Sequence, residues 1–422
     1  MKNKIILKLI LVTIVFTFYN PIIFSQDTVK IMSYNLLNYN GSVKKDTNFR
    51  KSMKYSNPDI LIVEEILSEA AMNRMLNDVM NYYTPNIYSA GTFTDGFDTD
   101  NAVFFKTSEF TFLSNTPIQT DVRIINLFTL IHNLSGDTVR LFAVHLKASS
   151  GASNEQQRLV EVNYLRQVTN AYANGTEFMV LGDFNIYGST EPAYQKLIEV
   201  QTNNQGQFVD PYNLPGIWNQ ASYAPYHSQS TRTSSLGDSG ATGGLDDRFD
   251  MILNSVGVTE VGRISYISGS LKSLGNDGNH YNQSINQQPN TAVPDSIANA
   301  LYSGSDHLPV YALYKFDAHK ISVNYISTVV PQKFKLYQNY PNPFNPVTKI
   351  LFDVPVERID NPFYTLKIYN SSGQELKTLV NQNLTAGKYE VEFDASDYPS
   401  GVYFYKLSAN SFTITKSMML VK

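Results

Sequence analysis

Val180-Leu-Gly-Asp-Phe-Asn185 is an apolar run that stops at a turn and presents a carboxylate beside an amide. Strand alternation sends residues i and i+2 to the same face, so Asp183 and Asn185 can reach one ion or one phosphate from a strand end. Alone, the string also fits an ordinary strand and turn. A second string, Gly304-Ser-Asp-His-Leu-Pro-Val310, repeats the pattern with Asp306 beside His307. A carboxylate next to an imidazole joins a hard-metal ligand to a proton carrier. Together the two strings make a metal-assisted phosphoryl-transfer site the leading reading.

The surrounding chain bounds that reading. Its 422 residues suffice for two or three domains, and 28 Tyr and 24 Phe lean toward β structure. The net charge of −4 hides a split. Asp27 to Asp317 holds 19 Lys/Arg against 29 Asp/Glu, whereas residues 319–422 hold 11 against 8. The larger portion therefore lacks the general basic field of a protein that holds nucleic acid electrostatically, although a local site could still cut it with a bound cation. Residues 1–25 read as a secretory signal: Lys2, Lys4 and Lys8, an apolar run from Leu9 to Phe18, and Ser25 before Gln26. The apolar run falls short of a membrane span, so no stable span is expected after cleavage. There is no Cys, hence no disulfide framework and no thiolate chemistry.

Mixed elements mark residues 26–318. Strands are expected at Val29–Tyr34, Ile60–Val63, Ala102–Phe105, Ile124–His132, Val139–Leu146, Phe178–Leu181 and Met251–Leu253. Helices are expected at Asp46–Tyr55, Ser68–Tyr82 and Asn154–Tyr172. Such mixing indicates a layered α/β sandwich. Gln201–Leu245 and Ser268–Ser305 fit no regular element; each either walls a substrate cleft or is a passive insertion. After a linker at 319–333, short alternating strands at Tyr364–Tyr369, Lys388–Phe393, Val402–Leu407 and Phe412–Val421 imply a small β-sandwich over 334–422.

Six ordered motifs, MSYNLLNY, PDILIVEEI, FAVHLK, VLGDFN, DRFDMIL and GSDHLPV, make residues 29–314 resemble the endonuclease/exonuclease/phosphatase superfamily. The resemblance implies a deoxyribonuclease I-like four-layer α/β (α+β) sandwich. It implies Asn35, Glu65 and Asp306 at a metal site, with Glu65 the principal ligand and Glu64 where the family often carries Gln. Asp183 and Asn185 would position phosphate and attacking water. His307, oriented by Asp250, would contact the phosphate, and His145 falls where some branches carry a second histidine. The implied cofactor is Mg²⁺, with Mn²⁺ or Ca²⁺ as alternatives. Taken singly, Asp250 could instead pair with Arg248, and His145 could be a core residue. Arg123 is either a phosphate contact or a surface residue; Asp98 and Asp100 are weaker candidates to orient His145. Tyr187 and Trp218 could stack on a base but fit core or rim packing better.

The C-terminal portion resembles the type A sorting domain of the type IX secretion system, on YPNPFNP, IYNSSGQEL, SGVYFYKL and the Lys-terminated last strand. A carbohydrate-binding or Ig-like adhesive module is the alternative. The resemblance implies a monomer exported through the periplasm to the medium or the outer-membrane surface, with the secretion machinery as partner. The leading function is a secreted phosphodiesterase cutting DNA or RNA. A sphingomyelin or phospholipid phosphodiesterase, a phosphatase, and a degenerate surface-binding protein are the alternatives.

Overall fold

The structure, a computed structural model, describes residues 26–259, 263–317, 324–327, 331–355, 363–384, 386–396, 398–409 and 412–422. The expected signal segment, residues 1–25, lies outside them, as does most of the expected linker.

The strands of the larger portion are β1 (Gln26–Tyr39), β2 (Ile60–Ile66), β3 (Tyr88–Ala90), β4 (Asp100–Lys106), β5 (Phe110–Ile118), β6 (Ile125–His132), β7 (Thr138–His145), β8 (Met179–Asp183), β9 (Phe208–Val209), β10 (Asp250–Ser255), β11 (Ile264–Tyr266), β12 (Lys272–Ser273) and β13 (Val310–Asp317). One sheet runs β11-β13-β1-β2-β4-β3, with β12 also on β13; the other runs β5-β6-β7-β8-β10-β9. The helices are α1 (Val43–Ser56), α2 (Glu69–Arg74), α3 (Ala152–Thr169), α4 (Pro192–Ile198), α5 (Val256–Thr259) and α6 (Asp295–Gly304).

Alternation along the central strands builds four layers. Ile31, Ile62 and Val103 of one sheet meet Leu141, Leu181 and Ile252 of the other in a shared core. Their neighbours Met32, Val63 and Phe104 point the other way, onto Phe49 and Met53 of α1 and Met72 of α2. On the far side Phe142, Val180 and Leu253 pack on Val162 and Leu165 of α3 and on Tyr194 and Leu197 of α4. Strands buried on both faces are apolar at nearly every position, which is why they stand out as runs. The molecule thus forms the four-layer sandwich expected.

Several elements differ from expectation. Ser68 does cap α2, its hydroxyl accepting from the Ala71 amide at 3.1 Å, but the helix continues as a π-helical turn, Met75–Met80. Among the described residues strand β5 pairs only with β6, and it carries exposed positions and Pro117, as an edge strand can, so it shows no buried run. Ser268–Ser305 is not structureless: α6 closes it, burying Ile297, Ala298 and Leu301. Its polar residues and the preceding Pro294 conceal the helical period.

The described residues of the C-terminal portion form two four-stranded sheets. With β14 (Asn324–Ser327), β15 (Lys335–Leu336), β16 (Val347–Val354), β17 (Phe363–Tyr369), β18 (Glu375–Asn383), β19 (Gly387–Asp394), β20 (Gly401–Ala409) and β21 (Phe412–Leu420), they run β14-β19-β16-β15 and β18-β17-β20-β21. Ile350, Phe352, Val391 and Phe393 of the first sheet pack with Leu366, Ile368, Tyr405 and Leu407 of the second. Asn324–Ser327, inside the expected linker, pairs with β19.

Candidate active site

The two sheets bring their functional ends to one edge. Parallel pairing sets Asn35 of β1 beside Glu64 of β2, and His145 of β7 beside Asp183 of β8. Strand β10 is antiparallel to β8 and starts at Asp250, opposite Asp183. Strand β13 is antiparallel to β1, so Asp306 and His307, just before its start, arrive at the same edge. Strand ends there leave backbone irregular. Glu65 and Asn185 sit at φ 57° and 53°, and Leu37 and Asn38 at 50° and 51°. Non-glycine residues in that region are uncommon and gather at functional sites. Gly182 before Asp183 is required on different grounds: at φ 139°, a Cβ there would lie 2.0 Å from the Val144 carbonyl oxygen of the adjacent strand.

Two carboxylates face one point. The Asn35 side-chain amide donates to Glu65 Oε1 at 3.0 Å and to Asp183 Oδ2 at 3.1 Å. Asn35 Oδ1 accepts from the Leu37 amide at 2.9 Å, which fixes the orientation of the group. Asn35 therefore presents N–H, not oxygen, to the carboxylates. The Asn38 amide holds Glu65 Oε2 at 2.9 Å. His145 Nε2 completes the cluster, 3.8 Å from Glu65 Oε1 and 3.6 Å from Asp183 Oδ2. Ligand atoms of Glu65, His145 and Asp183 all lie within 4.8 Å of one another. Burial pushes His145 well below the ordinary imidazole range, with Arg123 and His307 adding to it. Burial lifts Asp183 to about 7; His307 opposes the rise, and Asp250 and Glu65 reinforce it.

The second half of the site is His307. Its Nδ1 lies 2.8 Å from Asp250 Oδ2, and its Nε2 3.7 Å from Asp183 Oδ2. Burial opposes charging this ring, but Asp250, Asp183 and Asp306 outweigh it and hold His307 well above its ordinary value. No sequence motif points to its other partner: the Gln229 side-chain amide lies 2.6 Å from Nε2 and 3.4 Å from Asp306 Oδ2. Amide oxygen and nitrogen are assigned from their surroundings. A protonated ring needs an acceptor at Nε2, so Gln229 would turn its oxygen to His307 and give up its NH₂ contact with Asp306. Gln229 lies in the polar stretch 201–245, where no periodicity or motif marks it.

The remaining expected residues are placed elsewhere around this centre. Asp306 stands apart from the three-ligand cluster; its Oδ2 accepts from the Ala241 amide at 2.6 Å, and its buried Oδ1 has no hydrogen-bond partner among the described residues. Asn185 lies just past β8, its backbone amide donating to Asp183 Oδ1 at 3.0 Å and its side chain to the Leu146 carbonyl at 3.2 Å. Glu64 turns away and accepts from Ser33 Oγ at 2.6 Å; burial raises it well above the usual carboxylate range. Arg248 pairs with Asp210, both contacts 2.8 Å, and so leaves Asp250 to His307. Arg123 pairs with Asp98 at 2.7 Å, and Asp100 accepts from the Gly96 amide at 2.8 Å. Trp218 is fully buried against Tyr194, and Tyr187 packs edge-on against Phe249.

Among proteins of known type, a family model described as the secretion system C-terminal sorting domain matches residues 338–422. The C-terminal sandwich is a secretion sorting domain. It marks the protein for export, to the cell surface or beyond. No helix among the described residues is long and apolar enough to cross a membrane. No curated protein matches the chain. Among solved structures, the chain is similar to D. rerio TDP2 complexed with single strand DNA product, at 14% identity and TM-score 0.46, covering 68% of this chain and 98% of that one. It is similar to the human Nocturnin catalytic domain with bound sulfate anion, at 16% identity and TM-score 0.44, covering 68% and 97%. It is also similar to ANGEL2, a 2′,3′-cyclic phosphatase, at 14% identity and TM-score 0.43, covering 69% and 96%.

Proposed function

We propose that this protein is an exported, divalent-metal-dependent phosphodiesterase that hydrolyses nucleic acid. The observation that carries the reading is the convergence of Glu65, His145 and Asp183 on one point, with the His307–Asp250 pair reaching the same Asp183.

The donor set fits a cation. Two carboxylate oxygens accept from one amide nitrogen, and a ring held neutral by burial offers a lone pair beside them. Like charges so close in a buried site resist joint ionisation unless a cation offsets them. Glu65, Asp183 and His145 would hold Mg²⁺ or Mn²⁺, whose chemistry is to polarise a phosphoryl oxygen and offset the charge that builds there. Asn35 aims the two carboxylates. Beside the cation, Asp183 and Asn185 would position the phosphate and the attacking water. His307, kept cationic by Asp250, offers its Nε2 proton to the phosphoryl group or leaving oxygen. Asp250 holds the far side of that ring at Nδ1, and Gln229, 2.6 Å from the same Nε2, would hold the proton until substrate displaces it.

Phosphodiester and phosphomonoester substrates share this chemistry, so substrate identity rests on trial. Purified protein would be assayed with Mg²⁺ or Mn²⁺ on single-stranded and duplex DNA, RNA, sphingomyelin and a phosphomonoester. Metal-dependent cleavage of DNA or RNA supports the reading. Turnover of sphingomyelin or the phosphomonoester alone replaces it with one of the alternatives, and inactivity on all of them favours a degenerate binding protein.

A further inference from the structure

Helix α1 begins at the candidate site and leads away from it. Lys45 near its start donates from Nζ to the Leu36 carbonyl at 3.0 Å and to the Leu37 carbonyl, next to Asn35. The helix then runs 14 residues, about 20 Å, to Ser56. It carries five cations, Lys44, Lys45, Arg50, Lys51 and Lys54, in a portion of the chain whose acids outnumber its bases by 29 to 19. Its single acid, Asp46, is buried and already engaged by Arg74 and the Tyr39 hydroxyl. Helical spacing puts Lys44, Thr47, Lys51, Lys54 and Tyr55 on the exposed face.

At the far end this basic face meets aromatic rings. Tyr82 and Tyr83 are 53% and 51% exposed and stand edge to face, centroids 5.1 Å apart. The Arg50 guanidinium lies 3.8 Å over Tyr82, and the Lys54 ammonium 4.1 Å over Tyr83. A hollow of about 430 Å³ opens beside them, lined by Lys51, Lys54, Tyr55, Tyr83 and Ile297. Exposed rings interleaved with cations are the means by which proteins hold single-stranded nucleic acid without reading its sequence: phosphates meet the cations, bases stack on the rings. A membrane-docking helix needs a continuous apolar face, and the exposed face of α1 has only Val43 and Tyr55, at its opposite ends, among its lysines.

We infer that the α1 face and the Tyr82–Tyr83 pair form an exosite for single-stranded nucleic acid, along which a strand lies as it enters the active site. This rests on the proposed nuclease reading and names its substrate form: a single strand longer than a few nucleotides.

The test is binding in excess chelator, so that no cleavage intervenes. Fluorescence anisotropy would follow labelled single-stranded DNA and RNA of about twelve nucleotides on the full chain, across a salt series. Two surface variants would be compared, Lys51→Gln/Lys54→Gln and Tyr83→Ser, with melting curves to confirm folding. The double variant should bind at least about tenfold more weakly, and its dependence of log affinity on log salt should flatten by about 1.4, or about 0.7 for each phosphate left without its lysine. Tyr83→Ser should weaken binding with the salt slope unchanged, because stacking carries no counterion term. With metal restored, both should raise KM for the oligonucleotide while leaving turnover of a small aryl phosphodiester untouched. Wild-type affinity and slope in the double variant would overturn the exosite, and so would loss of small-substrate turnover or binding of anionic vesicles in place of oligonucleotide. The two readings separate cleanly. Equal binding by all variants with intact DNA or RNA cleavage sinks the exosite alone. Variant-sensitive binding by a protein that cleaves neither polymer sinks the nuclease reading alone.

Discussion

Asp250→Asn would test the electrostatic centre of the site. Asp250 and His307 are both buried, 2.8 Å apart, and the substitution keeps the shape while removing the charge. In the native protein burial works against the His307 cation, and the carboxylates of Asp250, Asp183 and Asp306 overcome it. Without Asp250, burial should dominate and return the ring to the neutral form near pH 7. The sign follows from linkage. A histidine raised on folding adds stability that is fully present below its unfolded value of about 6.5 and is lost as pH rises through its folded value. Over that window native stability falls by about 1.4 kcal/mol per pH unit for this one proton. Asp183, lifted to about 7, Glu64, raised well above the usual carboxylate range, and Lys45, lowered to about 8, also change protonation around pH 7.5 to 8.5, so the difference between native protein and variant, not either slope alone, reports His307. Urea unfolding in chelator would measure stability across that range. The native protein should lose about 1.4 kcal/mol per unit more than Asp250→Asn, and the variant should turn over substrate roughly 10²–10³-fold more slowly. Equal slopes would show that His307 carries no extra proton and that the assigned acid is wrong.

Other outcomes follow from the same geometry. Chelation should abolish cleavage and Mn²⁺ or Mg²⁺ restore it, while Glu65→Ala should lower turnover at least about a hundred-fold with an unchanged melting curve; full activity in chelator ends the metal mechanism. Gly182→Ala forces a methyl group into the Val144 carbonyl and should cost about 1–3 kcal/mol, read from denaturant midpoints; a variant as stable as the native protein would mean β7 and β8 can part at that point. A chain ending at Asp317 should fold and cleave in vitro, because the hydrophobic cores of the two portions share no residue, yet should stay in the periplasm of its host; fractionation showing it in the medium would make the C-terminal sandwich a binding module instead.

Much of this was open to reading because buried strands are apolar on both faces. Ile60–Val63, Val139–Leu146 and Met251–Leu253 announce themselves as runs, and the polar groups that end such runs, Glu65, His145 and Asp183, mark the edge where the strands stop. Edge strand β5 and helix α6 escaped because their outer faces are polar or their period is interrupted. Gln229 escaped for a deeper reason. It sits in an irregular segment whose course depends on long-range contacts, such as the Ala241 amide on the Asp306 carboxylate at 2.6 Å and the Thr231 amide on the Asp306 carbonyl at 3.0 Å. No local pattern encodes contacts of that kind.

The amino-acid sequence by itself determined which segments become strands, the order of the motifs along the chain, and the separate C-terminal sandwich. Each of these depends on local periodicity or on turn residues, which neighbours in sequence can specify. Only the tertiary structure decided which of these groups meet. It set His145, rather than Asp306, beside Glu65 and Asp183. It turned the Asn35 amide nitrogen toward the carboxylates, gave Arg248 to Asp210, and placed Gln229 against His307. Those choices rest on distances between atoms brought together from both sheets and the loops above them, and on burial that keeps His145 neutral and lifts Asp183 to about 7. Partners remote in sequence meet only once the two sheets have packed.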